Sequence, residues 1–275
     1  MSTFRLQQFS VEQNRSGMKV CSDSLLFGAM IPLTGAQRIL DIGTGTGLLA
    51  LMQAQKAKAL KINATLTAIE LTPEAATEAA NNVKASSWSN AIYVIQQDIQ
   101  SFAQHQATLR FSVDVKESAL AQPYDLIISN PPFFIDHSRT QGEQELRSIA
   151  RHTDTLSYEQ LCEAMSSLLA VNGVAYVLIP TMAINTFSQA AHTFKLVVAN
   201  ITHIAESLKH EAKVSVLRLI HIEKNNKDQA KKNHDYKRIR TLYKFDDNKI
   251  HTAEVKAYLM PFLLRYAKEP VVKDR

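Results

Sequence analysis

Short apolar runs rich in β-branched residues alternate along most of this chain with segments in which apolar positions recur every three or four residues. The first pattern belongs to strands buried between layers and the second to helices with one apolar stripe, so the chain reads as βαβ units around a mostly parallel sheet. Residues 38–42, 64–70, 91–97, 124–129 and 174–179 read as five strands, with helices at 48–56, 73–85 and 157–170 among them. Pro73 sits in the first turn of its helix, where a missing N–H is harmless. Beyond Pro180 the pattern predicts a helix at 183–194, extended stretches at 196–201 and 214–223, and a final amphipathic segment at 252–266. The expectation is an α/β fold with a seven-stranded sheet and helices on both faces. Residues 101–122 are polar and mixed and read as an insertion before the fourth strand.

Residues 1–36 read as an extension packed on the main body at 37–275, the whole forming a single domain with a basic C-terminal elaboration. In that extension Ser22 or Asp23 is placed to cap a helix that Leu25 begins. The same segment, Met18 to Leu26, has a second reading as a lid over a ligand, with Lys19, Ser22 and Asp23 as its candidate contacts.

Composition narrows the picture. Hydrophobic residues make up 45% and charged residues 21%, ordinary for a globular chain and unlike a disordered one. No apolar run approaches the roughly 18 residues of a spanning helix, and the N-terminus lacks the pattern of a secretory signal, so a cytoplasmic, non-membrane protein is expected. Cys21 and Cys162 are far apart and in no metal-ligand spacing. They suggest neither a disulfide framework nor a metal site and read as buried small hydrophobes. The net charge of +5 is unevenly placed: Lys224 to Lys244 holds eight basic residues against two acidic ones, more than the whole excess. Such a stretch suits a polyanionic partner.

Candidate chemistry gathers at the ends of the predicted strands. Asp41-Ile42-Gly43-Thr44-Gly45-Thr46-Gly47 follows the first strand and opens a helix, and glycines there let the backbone turn tightly and approach a ligand. The spacing is G-x-G-x-G, not the dinucleotide G-x-G-x-x-G. A pyrophosphate would be opposed by Asp41, whereas a cationic ligand such as a sulfonium with its amino group is favoured. Gly43, Gly45 and Gly47 with Asp41 are therefore candidate cofactor contacts. Glu70, with Leu71 beside it, closes the second strand 23 residues after Gly47 and is placed to accept hydrogen bonds from ribose hydroxyls. Asp98, followed by Ile99, ends the third strand and is placed to receive an adenine amino group. Each acid alone is equally a helix cap or a solvated turn; three successive strand ends carrying acids describe one crevice.

The fourth strand ends in Asn130-Pro131-Pro132-Phe133. Two prolines cannot continue a ladder and fix the backbone, which displays Asn130 and Phe133 at the same sheet edge. An exocyclic nitrogen on a planar ring is a poor nucleophile, because its lone pair is delocalised. If the Asn130 side-chain oxygen and the Pro131 carbonyl each accept one N–H, the nitrogen can pyramidalise and its developing positive charge meets pre-oriented dipoles. Phe133 would stack on the base. Proximity and in-line alignment then carry the reaction with no covalent nucleophile. Taken alone, the same four residues equally fit a strand-terminating proline turn.

Together, the glycine loop, Glu70, Asp98 and Asn-Pro-Pro-Phe resemble the Rossmann-like, class I amino-methyltransferases. Gln8-Phe9, Met18-Lys19-Val20, Asp23-Ser24 and Ala150-Arg151-His152 further resemble the bacterial tRNA1(Val) (adenine-37-N6)-methyltransferase family, over about residues 4–179. Cys21 stands where the lid motif of that family carries glycine. The resemblance implies S-adenosyl-L-methionine as cofactor, with Asn130 also contacting it, and methyl transfer to N6 of an adenine beside a tRNA anticodon by a monomer that needs no metal. An anticodon-loop adenine is already partly unstacked and easily turned into a pocket. Arg139, Arg147, Arg151, His152, Lys231, Lys232, Lys237, Arg238 and Arg240 are candidate RNA contacts, each alone equally a solvated charge.

Three other readings stand beside this one. A protein-glutamine methyltransferase fits the same amide-like chemistry, but those enzymes resemble the motif with Tyr in place of Phe133. A ribosomal-RNA guanine-N2 methyltransferase usually shows His where Phe134 stands. A non-catalytic RNA-binding or chaperone protein that kept the fold would have no use for Asp41, Glu70, Asp98 and Asn130 together.

Overall fold

The computed structural model describes residues 2–110, 121–131, 156–222 and 238–267. A small hairpin of β1 (Thr3–Arg5) and β2 (Ser10–Glu12) leads to helix α1 (Ser22–Met30). Then follow β3 (Arg38–Ile42), α2 (Leu48–Ala59), β4 (Thr65–Glu70), α3 (Pro73–Lys84), β5 (Ile92–Gln96), α4 (Ile99–Arg110) and β6 (Tyr124–Ser129). After these come α5 (Tyr158–Leu168), β7 (Leu169–Pro180), α6 (Ile184–Thr193), β8 (Leu196–Ala205), β9 (Val214–His221), β10 (Arg238–Tyr243) and α7 (Ala253–Leu259).

One eight-stranded sheet results, in the order β10-β8-β9-β7-β6-β3-β4-β5. Strands β7, β6, β3, β4 and β5 run parallel, and β9 is antiparallel to both β7 and β8. The five parallel strands are those read from the sequence, although β7 starts at Leu169 and takes the last residues assigned to the helix before it. The eighth strand is an addition to the seven expected. Arg238 to Thr241 are all exposed and only Leu242 is buried, so β10 carries no alternating apolar signal. It is a strand because its backbone pairs with β8 at the sheet edge.

Residues 99–110 are a helix and not an insertion. Only Ile99, Phe102 and Ala103 of it are buried, a single turn of apolar stripe too short to stand out in the sequence.

Alternation along the strands divides the interior in two. Ile39, Leu126 and Ile128 face a core shared with α1, α2 and α7, while Leu40, Ile42 and Ile127 face a core shared with α5 and α6. All six are essentially fully buried, each worth about 1.5–3 kcal/mol of burial. No helix among the described residues is long and apolar enough to cross a membrane.

The N-terminal segment is fastened to this body by side chains reaching up from α3. The buried Glu78 carboxylate accepts the backbone N–H groups of Asn14, Arg15 and Ser16 at 2.6, 3.0 and 2.9 Å. Asn82 accepts from the Glu12 N–H at 2.9 Å and donates to the carbonyls of Glu12 and Thr46, tying segment and glycine loop together. At the other end, Lys56 of α2 donates its Nζ to the carbonyls of Gly28, Ala29 and Ile31 where α1 ends. Burial lowers that lysine to about 8.

Charge-assisted bonds of this kind contribute about 1.5–3 kcal/mol each and are not additive. Glu78→Ala is therefore expected to release the 14–16 segment while leaving the sheet intact. Limited trypsin digestion should cut after Arg15 several-fold faster than in the unaltered protein, with little change in the main unfolding transition. Equal cleavage rates would show that the segment is held by something else.

Candidate active site

The parallel register decides where the functional side chains meet. Ile42 lies beside Ile69 on one side and Ser129 on the other, and Glu70 lies beside Gln96. The residues that follow these strand ends, Gly43 to Gly47, Leu71, Asp98 and Asn130-Pro131, therefore share one carboxyl edge. The connection leaves β3 toward β4 on one side and returns as β6 on the other, which opens a crevice at the end of β3.

Within the loop, Gly43, Gly45 and Gly47 adopt φ values of +70°, +55° and +82°, the left-handed region in which a side chain is strained. Gly47 is the N-cap of α2. The Gly45 N–H donates to Glu70 Oε2 at 2.9 Å, and Glu70 Oε1 accepts the Thr72 N–H at 3.1 Å. Asp98 Oδ1 accepts the Ser101 N–H at 2.8 Å, as a cap of α4 does. Ile99 turns its side chain into the second core, and Leu71 is exposed at the edge.

Asp41 is 1% exposed. Its Oδ2 accepts the Thr44 hydroxyl at 2.6 Å, while Oδ1 has no partner among the described residues. Burial pushes this carboxyl up to about 7, overcoming the bonds from Thr44 and a backbone N–H that favour the ionised form.

The N-terminal segment closes the crevice from above. Ser16, Met18, Lys19 and Val20 face the loop and Asn130 across a cleft whose far wall is Leu48 and Leu49. A Cβ on Gly45 would stand 3.2 Å from Ser16 Oγ, so the segment and the loop are in close contact. Asn130 is fixed from behind by Ser129, whose hydroxyl donates to the Ile42 carbonyl at 2.9 Å. Its Nδ2 points to Met18 Sδ at 3.8 Å, and its Oδ1 is buried with no donor among the described residues. The enclosed volume is about 60 Å3, so a ligand of nucleoside size requires the Met18 side of the cleft to stand further out.

Lys19 is thus brought to the cleft, but Ser22 and Asp23 are not. They turn the other way, to Lys244, whose Nζ lies 3.3 Å from Ser22 Oγ and 2.9 Å from Asp23 Oδ1. Nor does either of them cap α1. The N-cap is Cys21, whose sulfur accepts the Ser24 N–H while Ser24 Oγ accepts the Cys21 N–H. Cys21 has φ −125° and ψ 168°, extended backbone open to any residue, so cysteine replaces glycine there without strain. It is exposed rather than buried as expected, because the capping geometry holds it at the surface. Cys162 is buried, and burial pushes its thiol up to about 12.

Pro131 is buried, while Pro132, Phe133, Phe134, Arg139, Arg147, Arg151, His152, Lys231, Lys232 and Lys237 lie outside the described residues. Of the candidate RNA contacts, Arg238 is exposed on β10, whereas Arg240 is engaged with Glu254 and the Tyr258 hydroxyl. Glu78 and Asn82, which position the closing segment, were not anticipated from sequence. Their signal was available: both fall on the buried stripe of α3 with Ala75, Ala79 and Val83, where polar residues need partners.

The donor set suits a cation-bearing nucleoside ligand. Carboxylates and two buried acceptor atoms with no partner among the described residues, Asp41 Oδ1 and Asn130 Oδ1, converge on one edge, beside backbone in the left-handed region that glycine adopts without strain.

Residues 3–111 match the model of a family described as O-methyltransferase. The tRNA1(Val) (adenine(37)-N6)-methyltransferase of Shewanella sediminis is 34% identical over 264 residues, which covers 96% of this chain and 99% of that protein. The protein of the same name from Bacteroides fragilis is 39% identical over 188 residues, 68% of this chain and 71% of the other. Among solved structures, one of a predicted O-methyltransferase from Agrobacterium tumefaciens superposes with a TM-score of 0.57 at 16% identity, over 86% of this chain and 94% of that one. That structure supports the fold alone. The alignment across nearly the whole of both chains does more: this chain belongs to the tRNA1(Val) (adenine(37)-N6)-methyltransferase family.

Proposed function

We infer that this chain is an enzyme that transfers a methyl group from S-adenosyl-L-methionine to N6 of an adenine in a tRNA anticodon loop, adenine 37 of tRNA1(Val). The observation that carries the chemistry is Asn130 Oδ1, a buried acceptor with no donor among the described residues, set at the end of β6 against the glycine loop. A buried acceptor left unpaired costs about 1–3 kcal/mol, so it is retained for a donor that arrives with the substrate.

Bound at this edge, S-adenosyl-L-methionine supplies a methyl group already activated on a positively charged sulfur. The chain holds such a cofactor with the backbone of residues 43–47, Glu70 for ribose hydroxyls, Asp98 for an adenine amino group, and Asp41 behind the loop for positive charge. Asn130 Oδ1 and the Pro131 carbonyl each accept one N–H of the target amine. That draws its lone pair out of the ring and meets the positive charge that grows on nitrogen. Phe133, two residues after Pro131, stacks on the adenine. Lys19 and its neighbours close over the cleft and exclude water. Arg139, Arg147, Arg151, His152, Lys231, Lys232, Lys237 and Arg238 hold the RNA backbone, with Arg240 contributing when it leaves Glu254.

Incubation with methyl-labelled cofactor and tRNA, followed by digestion to nucleosides, should yield label in N6-methyladenosine. Label in N2-methylguanosine, or only in protein, would refute the assignment. Asn130→Ala should bind cofactor within a few-fold of the unaltered affinity and lose about 100- to 1,000-fold in transfer rate, the usual loss of one pre-oriented charge-stabilising group.

Asp41 generates a second expectation. Its folded pKa of about 7 lies above its ordinary 3.8. Below pH 3.8 both states hold the proton and stability is unaffected. As pH rises toward 7 the unfolded chain ionises while the folded one does not, so stability falls, and above 7 the fall is complete, about 4 kcal/mol in all. Calorimetry from pH 4 to 8 should therefore show Asp41→Asn gaining stability relative to the unaltered protein as pH rises. Parallel curves would show that Asp41 titrates normally.

A further inference from the structure

A second recess lies apart from the cleft at the glycine loop. A cavity of about 390 Å3 lies between α1, α7 and the turn after β10, well within the size range of small-ligand sites. Val20 lines both spaces, so the Met18–Ser22 segment is the partition between them. Neither Asn130 nor any residue of the glycine loop reaches the cavity, so the adenine that is methylated cannot be its occupant.

The walls are apolar, chiefly Leu25, Leu26, Val255 and Leu259, with the rings of Phe4 and Phe245 among them. Every charged residue in the lining is basic: Arg5, Lys244 and Arg265. Lys244 is already neutralised by Asp23 and Glu206. Arg5 and Arg265 have no carboxylate partner among the described residues, and Arg265 lies 5.2 Å over the Tyr266 ring. Strand β10, which carries Arg238, runs directly into Lys244 and Phe245 at the cavity wall. Arg265 reaches the His251 ring at 3.0 Å, which leaves its positive charge in place. An apolar and aromatic recess with guanidinium groups that no carboxylate neutralises among the described residues, at the end of a basic strand, is the composition that receives an unstacked base and its phosphate.

We propose that this cavity binds one unstacked nucleotide of the RNA substrate, distinct from the methylated adenine, with its base against the leucine and phenylalanine walls and its phosphate against Arg5 and Arg265. The proposal rests on the RNA-substrate reading above. It gives the enzyme a second point of RNA recognition on the opposite side of the partition that closes the cofactor cleft.

The two cysteines supply the test, because Cys21 is exposed and lines the cavity whereas Cys162 is wholly buried with its thiol pushed up to about 12. Alkylation by iodoacetamide therefore reports on Cys21. With S-adenosylhomocysteine present at saturation throughout, adding tRNA1(Val) should slow alkylation at least five-fold. Arg5→Glu and Leu264→Glu, both at exposed positions, should raise the KM for tRNA about ten-fold with kcat and cofactor affinity unchanged, and Arg5→Lys should restore much of the loss. Normal tRNA methylation with no protection of Cys21 would overturn the proposal and leave the substrate assignment standing. Protection without a change in KM in either charge variant would mean mere surface cover and would also overturn it. Protection by dodecanoate but not by tRNA would assign the cavity to an aliphatic anion instead. Absence of any RNA methylation would remove both readings together.

Discussion

The pairing of β3 with β4 on one side and β6 on the other governs everything at the site. Because the three strands run parallel and in step, their ends arrive together, and the loops that follow are forced into one crevice. The glycine loop, Glu70 and Asn130 come from separated parts of the sequence yet need no dedicated scaffold to meet. Backbone hydrogen bonds between buried strands fix their spacing. These strand-end residues therefore follow directly from paired, buried strands, whereas the Met18 side of the cleft is built from the N-terminal extension.

Three carboxyl groups at one edge repel one another and each resists burial, and the fold treats each differently. Asp41 sits deepest and keeps its proton to near neutral pH, with one oxygen spoken for by Thr44. Glu70 spends its charge on the Gly45 and Thr72 N–H groups. Asp98 is turned toward the start of α4. The edge thus gathers acceptors without holding three bare anions side by side. Glu70 also ties down the glycine loop through the Gly45 N–H.

Most of the parallel sheet was legible because its strands are buried on both faces and read as continuous apolar runs. The glycine loop was legible because its backbone demands restrict composition, whereas the turn read after Asn130 lies largely outside the described residues. What escaped notice did so for physical reasons. Strand β10 exposes Arg238 to Thr241, and its existence depends on an edge pairing that leaves no mark in polarity. Helix α4 buries one turn only. Ser22 and Asp23 were expected at the cofactor, but their direction is set by Lys244, more than 200 residues away, and no local pattern contains that partner. Cys21 caps a helix through sulfur, an unusual choice that hides it among more common caps.

The way Glu78 grips residues 14–16 has an evolutionary consequence. It holds main-chain N–H groups, which every residue except proline possesses, and makes no demand on the side chains at those positions. The closing segment can therefore drift in sequence while its path over the crevice stays constant. Attachment of residues 14–16 is thus written in Glu78 and the main chain, so their side chains can be replaced without putting it at risk.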